Sequence, residues 1–393
     1  MSPLSVGWAA GPRTQIELSY ADGKIMVRFA PGFRSTVRIP SPPRPFSLLE
    51  IQNILAAFGA GSGNRDGAAV LQSGSQLDLA TLGALLVRAL PPYVENELDG
   101  ELYLELGIAE NLLGYPWELI LSGGEHLCAR HNVARYINAT DLSLQATRRP
   151  SWWGAPIDKL RVLIVSVAAP EPRGGRKYDE LSSVMPEAKA VMTTLAAAGY
   201  TPSWLDARSF VDVHRAMMAT KYHIVHFCGH AEFGGVNGQQ GNLVLQKDDM
   251  PADIWMSLLQ STDAVVCVMN GCETARQDAV FSGGPYGLAR AVLDTGTYLV
   301  GSAWKVNDAG AEAFATTFYK HFVGELASIG VSVRLARDAC RRALPLVPAW
   351  ASYVLYGDPR LRFEQIVPAA GSAAGSSTAT GVAAVVPPPL PNT

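Results

Sequence analysis

From residue 160 to residue 356 the chain alternates short apolar runs with amphipathic segments, and this alternation restricts its fold more than any other feature. Strands are predicted over 160–167, 202–205, 224–228, 264–269, 298–301 and 352–356. Helices are predicted over 186–198, 210–219, 252–259, 286–293, 309–323 and 331–344, with a hairpin-like insertion around 241–246. The strands are nearly continuous in Val, Ile and Leu, the pattern of strands covered on both faces. An α/β fold follows: a mostly parallel sheet with helices on both faces. Right-handed crossovers then bring the strand ends to one edge.

Ahead of this core, residues 1–150 read as a smaller α+β region. Asp22-Gly23 lies between two alternating runs, 15–20 and 24–29, and is a strong hairpin turn signal. A Pro-rich break at 39–45 precedes helices predicted over 48–58 and 77–90, a glycine-rich loop at 59–67 separates those helices, and a strand is predicted over 101–106. Residues 148–156 read as a connector. The main domain therefore spans 151–367. Residues 368–393 are mostly Ala, Gly, Ser, Thr and Pro and have no charged side chain, which predicts a disordered tail.

The formal net charge is −3 and no basic block stands out, which argues against direct nucleic-acid binding. No apolar run reaches the length of a membrane span, and the first residues lack the pattern of a signal peptide. The five cysteines form an odd, sparse set, as expected of reduced thiols in a cytoplasmic protein.

Two of the apolar runs end in reactive side chains. The segment 223–231 delivers His230, and 265–274 delivers Cys272. In an open α/β sheet, ligands bind outside the carboxyl ends of the strands. A base and a thiol brought there by two strands can form a Cys–His pair, because a thiol needs a base or an electropositive site to become a nucleophile. The backbone N–H groups of Cys272 and Ala231 are candidate oxyanion donors. Two other readings of the same residues stand beside this one. A His or Cys at a strand end can be purely structural. His226, Cys228 and His230 could also ligate zinc with Cys267 or Cys272, although no paired C-x-x-C spacing is present.

Four landmarks in order, over about 106–363, resemble the CHAT family of caspase-like cysteine peptidases, kin to separase and the caspases. They are Gly114-Tyr-Pro-Trp-Glu-Leu-Ile120, His226-Phe-Cys-Gly-His230, Asn270-Gly-Cys-Glu-Thr274, and Gly301-Ser-Ala-Trp-Lys-Val-Asn-Asp308 with Tyr356-Gly-Asp-Pro359. The resemblance implies a caspase-like fold and an endopeptidase acting on specific proteins, with Cys272 as nucleophile and His230 as base and acid. It implies acyl transfer with no metal or cofactor. Relatives usually carry glycine where this chain has Ala231, so a positive φ there would cost about 1 kcal/mol. By analogy with related peptidases, Asp308 and Trp304 line a pocket for a basic residue before the cut, Asn270 lines the same pocket, and Arg276 is a candidate self-processing site. The resemblance also brings expectations of an activating protein partner and of a role in bacterial defence or programmed death. The alternatives are a silent scaffold of the same fold and a thiol acyl hydrolase or transferase. The N-terminal region is then regulatory or a degenerate caspase-like half.

Overall fold

The computed structural model describes residues 3–11, 13–21, 24–29, 75–90, 98, 103–109, 112–138, 155–233, 241–262, 264–271, 288–303, 308–345 and 347–366. The predicted helix over 48–58 and the predicted tail lie outside these residues.

The first part holds β1 (Leu4–Trp8), β2 (Arg13–Ala21), β3 (Lys24–Phe29), helix α1 (Ser75–Ala89), β4 (Tyr103–Ala109), β5 (Leu121–Ser122), β6 (Glu125–His126) and β7 (Asn132–Asn138). The second holds β8 (Val162–Ser166), α2 (Val184–Ala197), β9 (Ser203–Asp206), α3 (Phe210–Ala219), β10 (Ile224–Phe233), β11 (Gly241–Val244) and β12 (Asp249–Pro251). It continues with α4 (Ala252–Ser261), β13 (Val266–Gly271), α5 (Leu288–Leu293), β14 (Tyr298–Ser302), α6 (Asp308–Tyr319), α7 (Ile329–Ala343), β15 (Tyr353–Tyr356) and β16 (Leu361–Gln365).

One sheet joins both parts. Its order is β9-β8-β10-β13-β14-β15-β7-β4-β2-β3. The strands from β9 to β14 are parallel. β15 runs antiparallel to β14, and β7, β4 and β2 resume the parallel sense. Strand faces alternate, so each strand feeds two cores. Val162, Ile164, Ile224, Cys228, Val266 and Val268 pack on one face against α2, α6 and α7. On the other face, Leu163, Val165, Val225, Phe227, Cys267 and Met269 pack against α3, α4 and α5. A third core joins α1 and β4 to the end of α7, through Leu82, Leu86, Leu106, Cys340 and Trp350.

The predicted helices and strands of the main domain appear within a few residues of their expected limits, and Ala21 pairs with Lys24 around the Asp22-Gly23 turn signal. Three features differ from expectation. β7 was not anticipated, because Asn132 and Arg135 interrupt its apolar pattern. β1 and β16 pair with each other across nearly the whole chain, with Leu4 opposite Gln365. β10 runs on past Cys228, because its later residues change partner and pair with β11.

Two of the landmark segments meet at the joint between the two parts. Glu118 and Arg135 form a fully buried ion pair, and Arg135 also donates to the carbonyls of Leu113 and Tyr115 at 2.9 Å each. The Arg135 backbone receives β15, with Tyr356 opposite it and the Gly357 N–H bonded to its carbonyl at 2.9 Å. The Trp-Glu and Tyr-Gly-Asp-Pro landmarks therefore build this seam.

Near the same seam, Glu105 accepts from Gln15 at 2.5 Å and Arg13 at 3.4 Å. Burial, then the neighbouring Asp358 carboxylate, push its pKa up to about 6. A carboxyl whose folded pKa lies above its unfolded one stabilises fully at low pH and loses that contribution as pH rises through 6. Wild type should lose about 2 kcal/mol between pH 4.5 and pH 7 that Glu105→Gln retains. Urea denaturation of both proteins across that range measures the difference in slope.

Candidate active site

His230 sits where β10 changes partner. Up to Gly229 the strand is parallel to β13, with Cys228 opposite Asn270 and Gly229 opposite Gly271. From His230 it is antiparallel to β11, with His230 opposite Val244 and Ala231 opposite Leu243. Gly229 serves close packing here: it has no positive φ, and a Cβ would come within 2.9 Å of the Phe227 ring and 3.3 Å of the Val167 carbonyl oxygen. Ala231 is extended as well. Among the described residues only Leu326 has a positive φ without being glycine, so the strain anticipated at Ala231 does not arise.

The His230 ring lies 2.7 Å from the Asp179 carbonyl through Nε2. A carbonyl only accepts, so Nε2 carries the proton and the neutral ring's acceptor lone pair is on Nδ1. Tyr178 packs beside the imidazole, with ring centroids 5.7 Å apart. The segment bearing Tyr178 and Asp179 is strapped to the β10–β12 insertion. Arg173 donates to Asp249 and, at 2.8 Å, to the Asp248 carbonyl. Arg176 pairs with Glu232 and with Asp249, and the Tyr178 hydroxyl donates to Glu232 at 3.1 Å. Each exposed pair contributes little alone, but the network holds one geometry.

His226 is on the same strand and points into the core. It is fully buried, with Nε2 2.9 Å from Glu187 Oε1 and Nδ1 3.2 Å from the Tyr319 hydroxyl. Asn270 Nδ2 donates to the same Glu187 oxygen at 2.8 Å and to the Ala311 carbonyl at 3.1 Å, while its Oδ1 accepts from Tyr353 at 2.9 Å. The Asn270 side chain is therefore directed inward. Glu187, His226 and Cys228 place three ligating atoms within 4.8 Å of one another. Each of the three is in a hydrogen bond, with the Cys228 thiol donating to the Val165 carbonyl at 3.6 Å. Cys267, proposed with them as a zinc ligand, faces the opposite core.

Four of the five thiols are buried: Cys128, Cys228, Cys267 and Cys340. Burial pushes Cys128 up to about 11 and Cys340 up to about 12, and raises Cys228 and Cys267 well above the ordinary thiol range. None of these can ionise near neutrality. Cys272, Arg276 and Trp304 lie outside the described residues. Cys272 is bonded to Gly271, the last residue of β13, whose carbonyl accepts from the Ser302 hydroxyl at 2.5 Å. Asp308 is the first residue of α6.

Sequence reasoning missed Glu187. Its signal was available, because Glu187 falls on the buried stripe Val184, Ala188, Val191 and Leu195 of α2, where an acid needs a partner. It also missed the carbonyl of Asp179, for which a side-chain pattern carries no signal.

The family model of the CHAT domain matches residues 79–358, well over half of the sequence. The chain belongs to the CHAT domain family. No curated protein matches it. Among solved structures, this CHAT chain is similar to separase in the Saccharomyces cerevisiae separase–securin complex, at 12% identity and a TM-score of 0.52. That match covers 88% of this chain and 30% of that one, so the CHAT chain spans under a third of the separase. It is also similar to the Arg-specific cysteine proteinase gingipain R, at 12% identity and a TM-score of 0.47, over 73% of this chain and 69% of that one. Pro-sf-caspase-1 matches at 9% identity and a TM-score of 0.32, over 48% and 82% of the two chains. The CHAT chain thus shares the fold of that separase and has the α/β architecture expected from its sequence, a mostly parallel sheet with helices on both faces. Among the described residues no helix is long and apolar enough to cross a membrane.

Proposed function

We propose that the chain is a cysteine endopeptidase with Cys272 as nucleophile and His230 as base and acid. The observation that carries this reading is the pairing of Gly229 with Gly271, since each is followed by one member of the pair. Three further points support it. The Nε2–H bond to Asp179 leaves Nδ1 as the acceptor, the burial of the other four thiols removes them as competitors, and the chain belongs to the CHAT domain family that its landmarks resemble.

In this mechanism the Cys272 thiol gives its proton to His230 Nδ1. The thiolate attacks the scissile carbonyl, and the N–H groups of Ala231 and Cys272 receive the oxyanion. The C–N bond breaks as His230 returns the proton to the leaving amine. Water, deprotonated by His230, then releases the acyl group and restores the thiol. The proposal includes Asp308 and Trp304 at a pocket for Arg or Lys, where a carboxylate would form a charge-assisted pair. It also includes a cytoplasmic enzyme controlled by a protein partner, with the defence role that the family resemblance implies. Arg276 stays within the proposal as the self-processing site.

An acyloxymethyl ketone ending in Arg should label Cys272, and the label should vanish in Cys272→Ala. A search for new protein N-termini made by wild type and not by that variant then identifies substrates. No labelling and no new N-termini from an activated sample would leave a scaffold of the same fold as the reading.

A further inference from the structure

One contact beneath the proposed site ties its two strands together. Glu187 Oε1 meets His226 Nε2 at 2.9 Å and Asn270 Nδ2 at 2.8 Å. His226 lies four residues before His230 on β10, and Asn270 lies two residues before Cys272 on β13. The same stretch of chain also reaches His230 from the other side, because Asp179 accepts from its ring and α2 begins five residues later at Val184. A single segment, 179–187, therefore contacts both strands and the imidazole.

A carboxyl on a buried stripe costs free energy unless it is used. Packing alone would be served by an apolar residue, as at Val184, Ala188 and Val191. Parallel strands β10 and β13 are already held by their ladder, so the extra contact fixes something the ladder does not: the relative height of the two strand ends, where the ladder stops at Gly229 and Gly271.

We propose that Glu187 is a positioning residue, which sets His230 against Cys272 by holding His226 and Asn270 on one carboxyl oxygen. This inference rests on the Cys272–His230 reading and adds a control point to it. Anything that shifts the 173–179 strap against the β10–β12 insertion would move α2, and with it both members of the pair.

Native-state alkylation by iodoacetamide, followed at Cys272 by peptide mass spectrometry between pH 5 and pH 9, tests it without a known substrate. A thiol paired with a base reacts near neutrality, whereas an unpaired one follows its ordinary pKa of about 8.5. In Glu187→Met, which keeps the volume and has no oxygen to accept either bond, the rate at pH 6.5 should fall roughly tenfold and the profile should move toward that of His230→Ala. Tyr319→Phe removes the other His226 contact but leaves the shared oxygen, and should stay within about twofold of wild type. The buried thiols report the fold, since they stay unmodified while it is intact. If they react in Glu187→Met, Asn270→Ser cuts the same contact from the other side and should give the same loss. A Glu187→Met profile matching wild type, or a Tyr319→Phe loss as large as that of Glu187→Met, overturns the inference. An equal rate in wild type and His230→Ala overturns the underlying pair instead.

Discussion

Replacing His230 with alanine should cut proteolysis on the order of 10,000-fold and leave the protein folded. The size of the loss follows from the thiol. Without a base, only a few per cent of a thiol with pKa about 8.5 is ionised at neutral pH. The same imidazole must later protonate the leaving amine, so both halves of the reaction lose their proton carrier. Folding should survive, because His230 is only half-buried at the end of the parallel ladder. His226→Ala is the informative contrast. That ring is fully buried between Glu187 and Tyr319, and its loss takes one hydrogen bond from each at about 1–3 kcal/mol, although Asn270 still donates to Glu187. In the folded fraction its activity should fall only about tenfold, the effect of losing the Glu187 contact, with the remaining loss tracking the unfolded fraction. Turnover of a substrate found by N-terminal mapping, measured beside thermal melting, separates the two behaviours.

Arg135→Met should destabilise the chain by about 3–5 kcal/mol, the largest stability effect expected of a single substitution here. Glu118 is buried, which works to raise its pKa, but the Arg135 guanidinium outweighs burial and holds the carboxyl below its ordinary range. Removing the cation leaves that carboxyl without its partner and takes one donor each from the carbonyls of Leu113 and Tyr115. Glu118→Leu combined with Arg135→Met removes both charges and should recover a large part of the loss, since a buried pair is often replaceable by apolar packing. Urea denaturation of the single and double variants gives the coupling directly. Cys272 reactivity in the folded fraction should be unchanged, because the seam lies at β7 and β15 and not at β10 and β13.

The α/β core was legible because its strands are long apolar runs and its helices carry clear stripes, as in Leu79, Leu82 and Leu86 of α1. β7 was not, because Arg135 inside a strand reads as a surface residue until Glu118 is known to face it. The pairing of β1 with β16 joins the two ends of the described chain, and no local pattern encodes it. At the site, the order of landmarks pointed to His230 and Cys272. The inward turn of Asn270 was not legible: an Asn at a strand end looks alike whether it faces a ligand or a buried carboxyl. Only the third dimension brings Glu187 beneath it.

The seam also decides whether the chain can be divided. A shorter protein begun at residue 151 would carry both β10 and β13 and look complete on paper. Yet Cys340, Ala349, Trp350 and Ala351 are buried against α1 and β4, and β15 would lose Arg135 as its neighbour. Such a fragment would show water an apolar flank and an open strand edge together, the combination that makes proteins aggregate. The two parts are one thermodynamic unit, and the apolar flank of the α/β core is kept from water by the residues ahead of it.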